Sequence, residues 1–307
     1  MLLQRTIKKS VHAIGIGVHS GLNAGMTLRP AAANTGIRFV RTDLPGSPAV
    51  PAQANRVSDT CLSTSIQEGR AEVATVEHLM SALWGLGIDN LIVELTQREV
   101  PIMDGSAEPY VRLIESVGCK TLDAPKQFIR INRPIEVSNG DAKVTLSPYN
   151  GFRASYTFVA DHPVFDRYPK RLDMVFGGDS YIKNVCGARS FGLISELDQA
   201  QQIDRCLGSS LDNAVGIDDS DILNDGGLRY NDEFVKHKVL DAIGDLYLLG
   251  HQIIGAFEGY KSGHAINNAL ARALLADGEA WEMVTVPTSP VDSTGVIQAD
   301  ALQYTAG

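Results

Sequence analysis

Cysteine is scarce in this sequence. Its four residues (Cys61, Cys119, Cys186, Cys206) are scattered with no CxxC pair, which fits reduced, packed thiols and argues against a disulfide framework. Positive charge is also in short supply. Twenty-seven Lys and Arg against 36 Asp and Glu leave a formal net charge of −9, the wrong sign for a general nucleic-acid binder, although local lysines could still meet a phosphate. No apolar run approaches the roughly 18 residues of a membrane span; the Leu246–Leu249 stretch is flanked by Asp245 and His251. The opening MLLQRTIKKS lacks the continuous apolar core of a secretory signal. What remains is ordinary globular usage, 44% hydrophobic and 21% charged over 307 residues. At roughly 150 residues per domain this predicts about two domains. The expectation is an acidic, cytoplasmic protein with no transmembrane segment and no nucleic-acid partner.

Met26–Leu28, Ile37–Val40 and Leu91–Leu95 read as strands between turn residues. The period changes over Thr75–Leu86, where Val76, Leu79, Met80 and Leu83 mark one buried helical face, with Thr75 as the expected N-cap. A second helix is predicted at Ala107–Val117. Gly118–Gln127, with Pro125, is the best linker candidate. Strands resume at Phe128–Val137, Lys143–Leu146 and Ala154–Val159. Helices are predicted over Asp232–Leu249, where Gly250 follows the last turn, and over Ala265–Ala276. The Thr-, Ser- and Pro-rich end reads as irregular. Helices and strands on both sides of the linker imply an α+β or layered α/β protein in two parts, residues 1–122 and 123–307.

The sharpest chemical signal is His237-Lys238-Val239-Leu240-Asp241, with Asp245 one turn later. Four residues rotate a helix by 400°, so these side chains step by only about 40° along one face. Leu240, Gly244 and Leu248 flank that stripe, so its carboxylates face desolvation unless compensated. A divalent cation would compensate them, and imidazole plus carboxylate suits zinc. An i, i+4 His–Asp pair on a wet surface explains the same spacing. A metal needs a third ligand, and Glu77-His78 supplies a candidate: His78 could ligate while Glu77 takes a proton. An isolated pair of this kind is more often a surface feature. Lys261-Ser262-Gly263-His264 places a cation and an imidazole at a helix start, where an anion could bind or where a solvated His could simply sit. His19 lies in a glycine-rich turn that is no phosphate loop. His12, His162 and His251 read as structural.

Read together, these residues closely resemble the zinc-dependent UDP-3-O-(3-hydroxyacyl)-N-acetylglucosamine deacetylases of lipid A biosynthesis. The resemblance rests on GIGVHSG at 15–21, TVEHL at 75–79, GLGIDN at 85–90 and PIMDGSA at 101–107. It continues through ARSFG at 188–192, LDNAVGIDD at 211–219, KHKVLDAIGDL at 236–246 and IIGAFEGYKSGHAIN at 253–267, in family order over about residues 1–285. It implies two similar halves, each layering helices on a sheet, with the active site in the cleft between them. It also implies a βαβ-like insert near 188–214 that holds an acyl chain. His78, His237 and Asp241 then match the zinc ligands, and iron(II) could occupy the same set. Glu77 matches the general base and His264 the imidazolium that protonates the leaving amine, with Asp245 charging it. Ser190 matches a hydroxyl near the developing oxyanion; Lys238, Lys261 and Phe191 match positions beside the substrate, an acylated UDP-GlcNAc. A monomer is expected.

Three positions depart from the family pattern. Ser190 replaces the usual Thr, keeping the hydroxyl but losing the methyl. Met80 and Trp84 are less polar and bulkier than usual behind the first ligand helix. Two rival readings are a zinc amidohydrolase for another N-acetyl substrate and a catalytically silent nucleotide-sugar or lipid binder; pure binding would need no general base.

Overall fold

The computed structural model describes residues 1–287; the Thr-, Ser- and Pro-rich end lies outside the described residues. Its helices are α1 (Glu77–Gly85), α2 (Glu108–Val117), α3 (Pro163–Asp166), α4 (Ser180–Asn184), α5 (Ile194–Gln202), α6 (Glu233–Tyr247) and α7 (His264–Ala276).

The α+β architecture has two similar halves. The first sheet runs, in space, Val11–Ile16, Asn23–Pro30, Leu91–Leu95, Ile37–Arg41, Ala49–Pro51. Its neighbours are antiparallel except for the central Leu91–Leu95, which runs parallel to Ile37–Arg41. The second sheet repeats this path with Ile135–Asn139, Ala142–Ser147, Gln252–Tyr260, Phe152–Thr157 and Arg171–Phe176, again with the central strand parallel to the one after it; the central strand also takes Gln127–Ile131 as a second parallel neighbour, with Trp281–Thr285 antiparallel beyond it. Chain order repeats too: α1 precedes and α2 follows the central strand of the first half, as α6 and α7 do in the second. Each half interposes an insert before its first large helix. The first is a small sheet of Val57–Asp59, Ser65–Glu68 and Ala71–Val73. The second pairs Phe191–Leu193 parallel to Val215–Ile217 across α5, the expected βαβ unit.

The equivalent helices α1 and α6 pack on each other. Leu79 and Leu83 of α1 and Val239, Leu240 and Ile243 of α6 belong to one continuous core shared by both halves. Gly244 sets the closeness of approach: a Cβ there would stand 2.0 Å from the Glu77 carbonyl oxygen. Trp84 is absorbed without distortion into an aromatic cluster with Phe152, Phe176 and Tyr181, at centroid distances of 5.0, 5.5 and 5.6 Å.

Three local expectations are corrected. The stretch read as a linker is a strand, Cys119–Pro125, antiparallel to Leu3–Ile7, because distant backbone at the other end of the first half satisfies its hydrogen bonds. Phe128–Val137 is two strands, Gln127–Ile131 and Ile135–Asn139, broken before Pro134, whose ring restricts the preceding residue. Thr75 is not the N-cap of α1. Its backbone is left-handed (φ 59°) and its hydroxyl donates to Glu99 Oε1 at 3.1 Å, leaving Val76 at the cap and Glu77 as the first helical residue.

Candidate metal and acid–base centre

The packing of α1 on α6 brings His78 against His237 and Asp241, one ligand atom from each lying within 4.8 Å of the others. Asp241 Oδ1 is 3.4 Å from His78 Nε2 and 3.4 Å from His237 Nε2. All three side chains are buried, which removes the wet-surface reading of the His–Asp spacing. Asp241 Oδ1 and His78 Nδ1 have no hydrogen-bond partner among the described residues. Leaving such a buried group unsatisfied costs about 1–3 kcal/mol, more for a charged one. His237 Nδ1 lies 3.1 Å from the Ala188 carbonyl oxygen. A carbonyl only accepts, so the ring proton sits on Nδ1 and the Nε2 lone pair faces Asp241.

Burial pushes the His237 pKa down to about 3, outweighing the opposing pull of Asp241. Burial alone would favour the neutral form of Asp241, but the Lys238 ammonium, 3.1 Å from its Oδ2, helps hold its pKa well below the usual carboxylate value. Two imidazoles and one carboxylate turned toward a common point therefore form a donor set that could hold a divalent cation. The orphaned Asp241 oxygen is the atom such an ion would satisfy.

Beside this triangle lies a proton-handling pair. Glu77 Oε1 is 3.9 Å from His264 Nε2, and Glu77 Oε2 accepts the Thr64 N–H at 3.0 Å. His264 Nδ1 meets Asp245 Oδ2 at 2.9 Å. Asp245 also accepts the Thr64 hydroxyl at 2.6 Å and the Asn267 amide at 2.9 Å. Burial raises the Glu77 pKa against the lowering effect of His264 and His78. For His264, burial lowers the pKa, but Asp245, reinforced by Glu77 and Asp241, overrides it and raises the value to about 10. Near neutral pH, His264 is thus an imidazolium held beside a carboxylate of raised basicity, a pairing suited to donating and accepting a proton at one centre.

These groups open into a cleft of about 980 Å³, which Ser190, Phe191, Lys238 and Lys261 also line. A family profile described as UDP-3-O-acyl N-acetylglycosamine deacetylase matches residues 4–276. The chain belongs to this deacetylase family. A UDP-3-O-acyl-N-acetylglucosamine deacetylase from Coxiella burnetii (strain Dugway 5J108-111) is 50% identical over 285 residues, 93% of this chain and 94% of the relative. A protein of the same name from Chromohalobacter salexigens is 53% identical over an equally long match of 285 residues.

For this member of the deacetylase family, the six residues singled out for metal and proton chemistry converge on one centre. The remaining four are differently engaged. Lys238 Nζ is 3.1 Å from Asp241 Oδ2 and 5.3 Å from the centroid of the Phe191 ring. Lys261 is paired with Asp141 at 2.7 Å on the exposed side of the cleft. The Ser190 hydroxyl donates to the Asn213 carbonyl at 3.1 Å.

Several residues at the site were not foreseen. Thr64 holds both Glu77 and Asp245, and the Ala188 carbonyl orients His237. Asn267 stands three positions after His264, an i, i+3 spacing that could have suggested a shared partner. Thr64 carries no comparable signal, since it reaches the site from an insert loop. His19 is more than a turn residue: it is buried, lines the cleft and leaves Nε2 without a partner among the described residues. Glu99 fixes its loop by accepting the N–H groups of His19 at 2.8 Å and Ser20 at 2.9 Å.

Proposed function

We propose that this chain is a zinc-dependent amidohydrolase. It hydrolyses the acetamide of a UDP-3-O-(3-hydroxyacyl)-N-acetylglucosamine, releasing acetate and the free amine, in lipid A biosynthesis. The carrying observation is the partnerless, buried Asp241 oxygen set between two imidazole Nε2 atoms, with a base and an acid beside it. His78, His237 and Asp241 would hold the ion, and iron(II) is met by the same ligands. When bound, the cation supplies Lewis acidity, lowering the pKa of water toward neutrality and polarising a carbonyl oxygen.

This chain's own groups then divide the proton work. Glu77, fixed by the Thr64 N–H, accepts a proton from the attacking water. His264, fixed and charged by Asp245, donates one to the leaving nitrogen, because an amide anion departs too poorly. Lys238, Lys261 and Phe191 are assigned to the sugar nucleotide, and Ser190 to a position near the oxygen that gains charge, its own hydrogen given to Asn213. The acyl chain is assigned to the insert side of the cleft, where Ile194, Leu197, Ile203, Leu211 and Val215 present apolar surface. Each methylene taken from water there contributes up to about 0.8 kcal/mol. A pure binding role has no use for a carboxylate and an imidazolium, Glu77 and His264, held 3.9 Å apart with both proton affinities raised. We assign residues 1–122 and 123–307 to the two halves, with a monomer acting in the cytoplasm; no helix of the described residues is long and apolar enough to cross a membrane.

Metal analysis of the purified protein, together with acetate release from acylated and unacylated UDP-GlcNAc, tests this reading. One zinc or iron per chain and a sharply lower kcat/KM without the acyl chain are expected. A metal-free protein that still releases acetate would overturn the metal assignment, and indifference to the acyl chain would overturn the substrate assignment.

A further inference from the structure

Glu233, the first residue of α6, has a fully buried side chain (0% exposed) and lies outside the proton-handling and ligand set. Its carboxylate accepts four hydrogen bonds. Arg189 supplies three, from its backbone N at 3.0 Å, Nε at 2.8 Å and Nη2 at 3.2 Å. The Arg229 backbone N supplies the fourth at 2.5 Å. The Arg189 guanidinium also reaches the Gly227 carbonyl at 2.8 Å. Arg229 donates to the Gly187 carbonyl at 3.1 Å and to Asp104 Oδ2 at 2.8 Å.

One peptide group carries the consequence. The amide joining Ala188 to Arg189 donates its N–H to Glu233 and accepts at its C=O from His237 Nδ1–H. Residues 233 and 237 are one helical turn apart on α6, so this single planar unit bridges them along the helix. Its carbonyl selects the His237 tautomer and aims the ring. The carboxylate that fixes the peptide's other end therefore fixes the aim. A negative group also suits the N-terminus of α6, and Arg189 matches its charge where a lone buried carboxylate would be unstable.

We infer that Glu233 is a positioning residue for His237: it anchors the Ala188–Arg189 peptide whose carbonyl orients the imidazole toward the cation. The inference rests on the metal reading above and adds to it a residue that touches neither ion nor substrate. An amide at position 233 would replace one of the two acceptor oxygens by an NH2 group facing the donors of Arg189 and Arg229, so the hold on the peptide would loosen. Groups that orient ligating histidines typically affect metal affinity by about 10–100-fold. Acting one bond further out, Glu233→Gln is expected near the lower end, about tenfold.

The test uses the full chain stripped of metal and titrated with Zn²⁺ against a competing chelator, with Co²⁺ absorption as a second readout. Glu233→Gln should bind Zn²⁺ about tenfold more weakly and show an altered cobalt spectrum, with substrate KM nearly unchanged once metal is saturating. Glu233→Asp keeps the buried charge but shortens its reach, so it should weaken binding severalfold and carries the test if the Gln variant fails to fold. Val235→Ala is the control: it removes packing from the same turn without touching the peptide, and should lower Tm while leaving affinity at the wild-type level. Wild-type affinity and spectrum in the folded Glu233 variants would overturn the inference, as would equal weakening by Val235→Ala. A wild-type protein that takes up no cation would overturn the metal reading itself, a result distinguishable from wild-type uptake with unchanged variants.

Discussion

Helices α1 and α6 occupy equivalent places in the two halves but carry different chemistry. The nine residues of α1 are all buried, and they deliver Glu77 and one imidazole, His78. The 15 residues of α6 deliver His237, Asp241 and, a turn on, Asp245. The helices that follow the central strands diverge further. Helix α2 opens with Glu108, which pairs with the exposed Arg112, whereas α7 opens with His264 in the cleft. A repeated topology thus supplies two facing helices, and the residues placed on them divide the labour. On the proposed reading, the second half would hold two of the three ion ligands and the charged imidazole, and the first would contribute the third ligand and the base. Metal retention and turnover should therefore be separable by mutation.

The largest effect should come from the second half. His237→Ala is expected to lose bound metal along with turnover, which falls to background; full metal retention at equal affinity would refute its ligand role. On the first half, Glu77→Ala should keep the metal yet lower kcat by about 10²–10⁴, the usual range for a general base. Near-normal turnover in that variant would break the division of labour.

A third measurement concerns the pH dependence of the two halves. If Glu77 acts as base and His264 as acid, as proposed, the rate profile should be bell-shaped, with its acid limb raised by Glu77 burial and its alkaline limb near 10. Asp245→Asn removes the main raising influence on His264, so the alkaline limb should move to lower pH. An unmoved limb would sever Asp245 from that role. The stability effect has a definite sign. The folded pKa of His264, about 10, lies above its ordinary 6.5, so its protonated pairing stabilises the fold fully below about 6.5 and is lost as pH rises through about 10.

Smaller effects probe the seam and the rim. Gly244→Ala puts a methyl where only 2.0 Å separates its position from the Glu77 carbonyl. It should cost about 1–3 kcal/mol, seen as a lower Tm, and weaken metal binding as the helices part. An unchanged Tm would mean that the two halves yield easily at this contact. Ser190→Ala should be the mildest change, less than about tenfold in kcat. Its hydroxyl hydrogen is already given to Asn213, whereas a donor aimed at the oxyanion is worth about 10²–10³. A loss in that larger range would show that Ser190 releases Asn213 during the reaction.

Much of the centre was legible in the chain. The i, i+4 spacing of His237, Asp241 and Asp245 needs only helix geometry to place them on one face, and the α1 face follows from its apolar repeat. Other features were not. Thr75 looked like a cap because capping is a local tendency, but a buried Glu99 pulls its side chain elsewhere. The Cys119–Pro125 strand looked like a linker because its partner, Leu3–Ile7, is remote in sequence. The repeated strand path has no repeated residues to announce it, since equivalent strands need share only burial and hydrogen bonding.

By itself, the sequence determined which side chains share a helical face and which family motifs stand in order, because both depend on spacing along one chain. Tertiary structure alone decided that His78 meets His237, that Asp241 keeps an unpaired oxygen, and that one peptide spans Glu233 and His237. Those facts depend on how closely two helices, and the loop that carries the Ala188–Arg189 peptide, approach, and those distances are set by packing across the whole core.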